Sequence, residues 1–186
     1  MKQIEQLNRK GFWRANGVFG TRSLVMMALF VAMSAALTPV TVWLTSQQKL
    51  LSFQSLPLAV GSMLFGPWAA VLMGVASDTI NYLIKPMGPY HPGFAVSLAV
   101  TCVFYALWQY QRPVKLWRVA CAQVCSVVFV HFGLNMIWMS TLYGQTAGQF
   151  YTGVKVVNNL VTFPFMVLAV FAVAKTVVEI EKRYAR

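Results

Sequence analysis

The stretch SMLFGPWAAVLMGVASDTINYLIKPMGPYHPG, residues 62–93, sets the reading of the whole chain. An apolar run ends at Gly66-Pro67, and the residue before a proline avoids the helical region, so one helix stops there and another starts. The run 67–84 that follows is apolar apart from Ser77, Asp78, Thr79 and Asn81. It ends in Lys85-Pro86-Met87-Gly88-Pro89-Tyr90-His91-Pro92-Gly93, where three prolines and two glycines in nine residues exclude a helix interior. The same alternation continues outward in both directions. Apolar runs occupy about 23–45, 53–65, 67–84, 94–110, 116–142 and 152–178, six in all. Each ends in a polar, proline or glycine cluster, such as Thr45-Ser46-Gln47-Gln48-Lys49, Arg112-Pro113 and Tyr143-Gly144.

Composition names the solvent. Of 186 residues, 58% are apolar and 10% charged, whereas a soluble domain carries roughly a quarter charged residues. In water such a chain would expose a large apolar surface, so the bilayer is the better medium. The predicted fold class is an all-α integral membrane protein of six transmembrane helices. A basic tail, 1–21, precedes a membrane domain, 22–178, and a charged end, 179–186, follows it. The tail is expected to lie as a short interfacial helix with Phe12, Trp13 and Phe19 at the headgroups. Its basic lead is too long for the charged region of a cleavable signal. No repeat of fixed period is present, so an inverted-repeat transporter is not expected.

The net charge of +11 does not point to nucleic acid, because the cations lie between apolar runs rather than along one surface. They sort by side instead. With six spans, one face holds Lys2, Arg9, Lys10, Arg14, Arg22, Arg112, Lys115, Arg118, Lys175, Lys182, Arg183 and Arg186, against Lys49 and Lys85 on the other. That bias places both termini in the cytoplasm.

The sequence excludes much chemistry. It has no G-x-x-x-x-G-K-[ST] phosphate loop, no G-x-S-x-G and no H-E-x-x-H. Four acidic residues leave few players for acid–base catalysis. An intramembrane enzyme would have to rest on Asp78 with His131 as partner, and one carboxylate rarely suffices. Cys102, Cys121 and Cys125 sit inside apolar runs and read as small buried side chains, so neither a metal site nor a cofactor is expected.

The polar groups inside the apolar runs gather toward the external ends. Asp78 and Asn81 are three apart on helix 3, where a carboxylate signals either an interhelical anchor or a ligand contact. Helix 5 carries Asn135, Trp138 and Tyr143, and helix 6 carries Lys155, Asn158 and Asn159. Singly, such amides are interhelical glue. Converging beside a loop with Lys85, Tyr90 and His91, they describe a ligand pocket with aromatic walls. On helix 1, Ala28, Ala32 and Ala36 repeat every four residues, a row that lets another helix approach closely, from this chain or from a partner.

Three segments carry a family resemblance. Residues 62–93 hold Leu-Phe-Gly-Pro, then Gly74-x-x-x-Asp78, then Pro86-x-Gly-Pro-Tyr-x-Pro-Gly93; FGLNMIWMSTLYG at 132–144 and VKVVNNLVTFP at 154–164 add helices 5 and 6. Together they resemble the substrate-binding S components of energy-coupling factor (ECF) vitamin transporters, of the folate type. The resemblance implies a non-catalytic chain in the bacterial cell membrane that binds its vitamin from outside. The implied cavity is lined by helices 4–6 and closed by the loops between helices 1 and 2 and helices 3 and 4. It also implies partners, a transmembrane coupling (T) subunit that docks on the Ala28–Ala32 row and two cytoplasmic ATPases. The chain departs from the family pattern at Leu37-Thr38-Pro39, at Leu50-Leu51-Ser52-Phe53, at His91 and at Lys155, positions where Arg or Phe is usual. Arg grips carboxylates bidentately and stacks on rings, which Lys and Pro do not. The resemblance makes folate the first expectation for the ligand, and these departures keep cobalamin and pantothenate as alternatives.

Overall fold

The computed structural model describes residues 20–38, 41–45, 48–84, 90–144 and 153–184. Helix α1 spans Thr21–Leu37 and is followed by strands β1, Thr41–Thr45, and β2, Gln48–Ser52. Then come α2, Ser55–Phe65, α3, Pro67–Ile84, and α4, Pro92–Gln109. Helix α5 has three stretches, α-helical over Leu116–Cys125, π-helical over Ser126–Leu134 and α-helical again over Asn135–Tyr143. Helix α6 spans Gly153–Tyr184 and contains Pro164.

These helices coincide with the six apolar runs, and the differences have local causes. The first run does not stay helical to residue 45, and the expectation of helix alone fails in one place. Pro39 follows Thr38, and the β-branched Thr41, Val42 and Thr45 with Trp43 favour extended backbone. The chain turns there into an antiparallel hairpin pairing Thr41 with Ser52 and Val42 with Leu51. Helix α6 continues without a break through 179–184. The tail 1–19 lies outside the described residues.

Two apolar clusters hold the bundle. Met27 and Val31 of α1, Leu58 and Phe65 of α2, Ala69, Ala70 and Met73 of α3, and Cys102 and Ala106 of α4 form the first. Ala59 of α2, Tyr105 of α4, Val119 and Ala122 of α5, and Val167 and Val170 of α6 form the second. Helices α2 and α4 belong to both and act as the central pair. The tightest helix pair is α3 on α4, because a Cβ on Gly74 would stand 2.6 Å from the Ala99 Cα. The break between α2 and α3 turns on Gly66, whose φ of 89° is open to glycine and strained for other residues.

The outer surface inverts the pattern of a soluble protein. Leu83 and Leu160 are each 74% exposed, and Val25, Leu29, Leu72, Phe129, Phe165 and Leu168 also face outward. Pro92–Gln109, Leu116–Leu142 and Asn159–Ile180 are each long and apolar enough to cross a membrane, while Ser23–Leu37 and Ser55–Phe65 are shorter apolar helices. A surface of this kind is stable in lipid and not in water.

Candidate functional site

A cavity of about 400 Å³ opens between α4, α5 and α6, with α3 and the start of α2 completing its wall. Helix α4 contributes Phe94, Ser97, Leu98, Thr101 and Tyr105. Ser97, Thr101 and Tyr105 are four residues apart and so lie on one face. Helix α5 supplies Gln123, Ser126, Val127, Val130, His131 and Asn135, and α6 supplies Asn159, Thr162, Phe163 and Met166. Asp78 reaches the cavity from α3, and Gln54 and Ser55 from the entry to α2. The lining is thus mixed: aromatic and aliphatic walls, several amides and hydroxyls, one carboxylate, and no Lys or Arg among the described residues.

The wall is braced from behind. The Tyr105 hydroxyl donates to Gln123 Oε1, tying α4 to α5. At the N-terminal end of α4, Trp138 Nε1 donates to Ser97 Oγ at 3.0 Å. The Trp138 ring lies over the backbone of Gly93, where a Cβ would stand 2.4 Å from it. His91 packs beside it, with its ring centroid 5.3 Å from that of Trp138. The His91 imidazole is also the N-cap of α4, since its Nδ1 accepts from the Gly93 N–H at 3.0 Å, with Pro92 at the first helical position. Proline, glycine and histidine in this loop therefore start α4 and seat Trp138 against it.

The residues singled out from sequence fall into three groups. Asn135 and Asn159 line the cavity, as do Asp78 and His131. Trp138 and His91 buttress it at one end, while Tyr90 is exposed and packs on Tyr82 with centroids 4.9 Å apart. Asn81 is elsewhere. It is buried between α1 and α3, where its Oδ1 accepts from the Thr38 hydroxyl and its Nδ2 donates to Ser77 Oγ at 3.1 Å. Ser77 in turn bonds Ser34 at 2.9 Å. Of Asp78 and Asn81, the one nearer the end of α3 bonds into the packing against α1 and the one in mid-helix lines the cavity. Lys85 lies outside the described residues, as do the side chains of Tyr143, Lys155 and Asn158.

Sequence reasoning passed over Ser97, Thr101, Tyr105, Gln123, Ser126 and Thr162. The four-residue row on α4 was a readable signal, a polar stripe on one face of an otherwise apolar helix. The π-helical stretch of α5 left no comparable mark. Ala28, Ala32 and Ala36 are all exposed on α1, away from the cavity and beside exposed Val25, Leu29 and Met33.

Known proteins match this architecture along most of its length. The folate transporter FolT of Clostridium novyi is 30% identical over 131 residues, covering 70% of this chain and 76% of that protein. The folate transporter FolT of Leuconostoc mesenteroides subsp. mesenteroides is 26% identical over 153 residues, covering 79% and 81%. A crystal structure of FolT bound with folic acid superposes with a TM-score of 0.75 at 25% identity, covering 84% of this chain and 95% of that one. Residues 22–174 match the family described as "ECF transporter, substrate-specific component". With that match running through all six helices and the cavity they enclose, this chain belongs to the substrate-specific (S) components of the ECF transporters, and it is a membrane protein.

Proposed function

We propose that this chain binds folate at the outer face of the cell membrane and delivers it to a coupling subunit for ATP-driven uptake. The observation that carries the ligand is the cavity between α4, α5 and α6 in a chain whose relatives are named folate transporters. Its volume of about 400 Å³ lies in the range of roughly 300–1,000 Å³ usual for small-ligand pockets. A corrin ring with its nucleotide tail is far bulkier than folate, which argues against cobalamin. Pantothenate lacks the flat heteroaromatic ring that the Phe94, Tyr105 and Phe163 walls suit.

Folate has two chemically distinct ends. Its aminopyrimidinone presents N–H donors, and its glutamate carries two carboxylates. A lining with Asp78 and amides but no described cation suits the donor end. Lys85, Lys155, Asn158 and Tyr143 stand near the external end in sequence and suit the carboxylates. In this arrangement all six helices cross the bilayer, the domain runs over 22–178, and the ends 1–21 and 179–186 are cytoplasmic, as the cation bias directs. The chain supplies affinity and performs no chemistry. A transmembrane T subunit docks on the exposed Ala28, Ala32 and Ala36 row, and two ATPases on the cytoplasmic side hydrolyse ATP.

Calorimetric titration of the detergent-purified chain with folate, pantothenate and cobalamin tests the ligand. Nanomolar folate binding, about −12 kcal/mol, with no measurable heat from the other two, is expected. Tight binding of either of the others, or silence with folate, contradicts the assignment.

A further inference from the structure

We infer that Asn135 is the acceptor through which the cavity reads an N–H donor on the ligand, and that the π-helical stretch of α5 sets it in place. With folate as the ligand, which this inference takes from the proposed function, the donor is on the aminopyrimidinone ring.

The first observation is an unpaired atom. Asn135 Oδ1 is shielded from solvent and has no hydrogen-bond partner among the described residues, although the residue lines the cavity. An orphaned buried acceptor costs free energy that a leucine at the same position would not. Asn81, an amide buried between α1 and α3, is bonded differently, its Oδ1 accepting from Thr38 and its Nδ2 donating to Ser77. An amide with an open acceptor at a cavity wall is complementary to a donor that arrives with the ligand.

The second observation is the backbone beneath it. Over Ser126–Leu134 the helix is π-helical, and Asn135 is the residue at which the α-helix resumes. Its own N–H reaches back to the Val130 carbonyl, five residues earlier. A π stretch admits an extra residue into the turn and so changes the face that everything beyond it presents; such stretches recur at functional sites. Ser126, Val127, Val130 and His131 of this stretch also line the cavity. Asp78 supplies a second acceptor from α3, so two acceptors on different helices meet one pocket. A ligand edge with two adjacent N–H donors fits that pair better than an edge of acceptors does.

The test pairs two ligands with two variants. Folate and a folate analogue with methyl in place of the 2-amino group are titrated into the unaltered chain, Asn135→Leu and Asn135→Asp. The unaltered chain should prefer folate by about 5- to 150-fold, the size of one buried hydrogen bond whose partner is otherwise left unpaired. Asn135→Leu should remove most of that preference by weakening folate while changing the analogue by less than about twofold, since only the contact shared by residue and amino group is coupled. Equal weakening of both ligands, or no preference in the unaltered chain, overturns the inference. Asn135→Asp keeps the size and the acceptor oxygens, so it should fold and retain the preference; losing it there also overturns the inference. Absence of folate binding by the unaltered chain defeats the folate reading itself, and is seen before any variant is made.

Discussion

The part of the bundle where α1 and α3 meet and the part enclosed by α4, α5 and α6 contain the same kinds of polar side chain and treat them in opposite ways. Between α1 and α3, Ser34, Thr38, Ser77 and Asn81 bond to one another. Between α4, α5 and α6, hydroxyls and amides turn toward a cavity, and Asn135 Oδ1 has no partner among the described residues. Composition does not separate the two. Whether neighbouring helices close on a polar group or stand off from it does. Around α3 the close approach is built by small residues, with Gly74 against Ala99 and Ala69 and Ala70 fully buried. Around the cavity, α5 departs from α-helical geometry over nine residues. One part is therefore close-packed, and the other encloses a receptacle.

That contrast can be broken by experiment. The largest effect is expected on the outer face of the close-packed part. The double substitution Ala28→Trp, Ala32→Trp should abolish folate uptake by the assembled transporter while leaving the Kd of the isolated chain unchanged, because both residues are exposed and remote from the cavity lining. Normal uptake by this variant would remove the docking row from the account. A smaller effect is expected inside the close-packed part. Asn81→Leu should lower thermal stability in detergent by about 1–2 kcal/mol, through the buried hydrogen bonds to Thr38 and Ser77 that it removes. Its folate affinity should change by less than about threefold where the chain is folded, given the distance dependence of such couplings. If Asn81→Leu instead weakens folate strongly at unchanged stability, the two parts do not divide the work as described.

Much of this was legible in the sequence, and the reasons are physical. Helix boundaries at Gly66-Pro67 and Arg112-Pro113 are imposed by local sterics, which a sequence displays directly. The end of α1 was misread for a related reason. Hydropathy continues through Thr41–Thr45, so an apolar run conceals the change from helix to hairpin. The site was half legible. Asn135 and Asn159 announce themselves as amides in apolar helices, and both line the cavity. Asn81 announces itself in the same way and is a packing anchor, because a hydrogen-bond partner 43 residues away is not visible from spacing. The π stretch was invisible, since Ser126–Leu134 has the apolar composition of any membrane helix and its extra residue shows only in the backbone ladder.

The measurement that bears most directly on the account is a structure of this chain with folate bound. The pteridine ring should lie between α4, α5 and α6, with its amino edge toward Asn135 and Asp78 and its glutamate directed out of the cavity. Folate bound elsewhere, or bound with its carboxylates against Asp78, would contradict it.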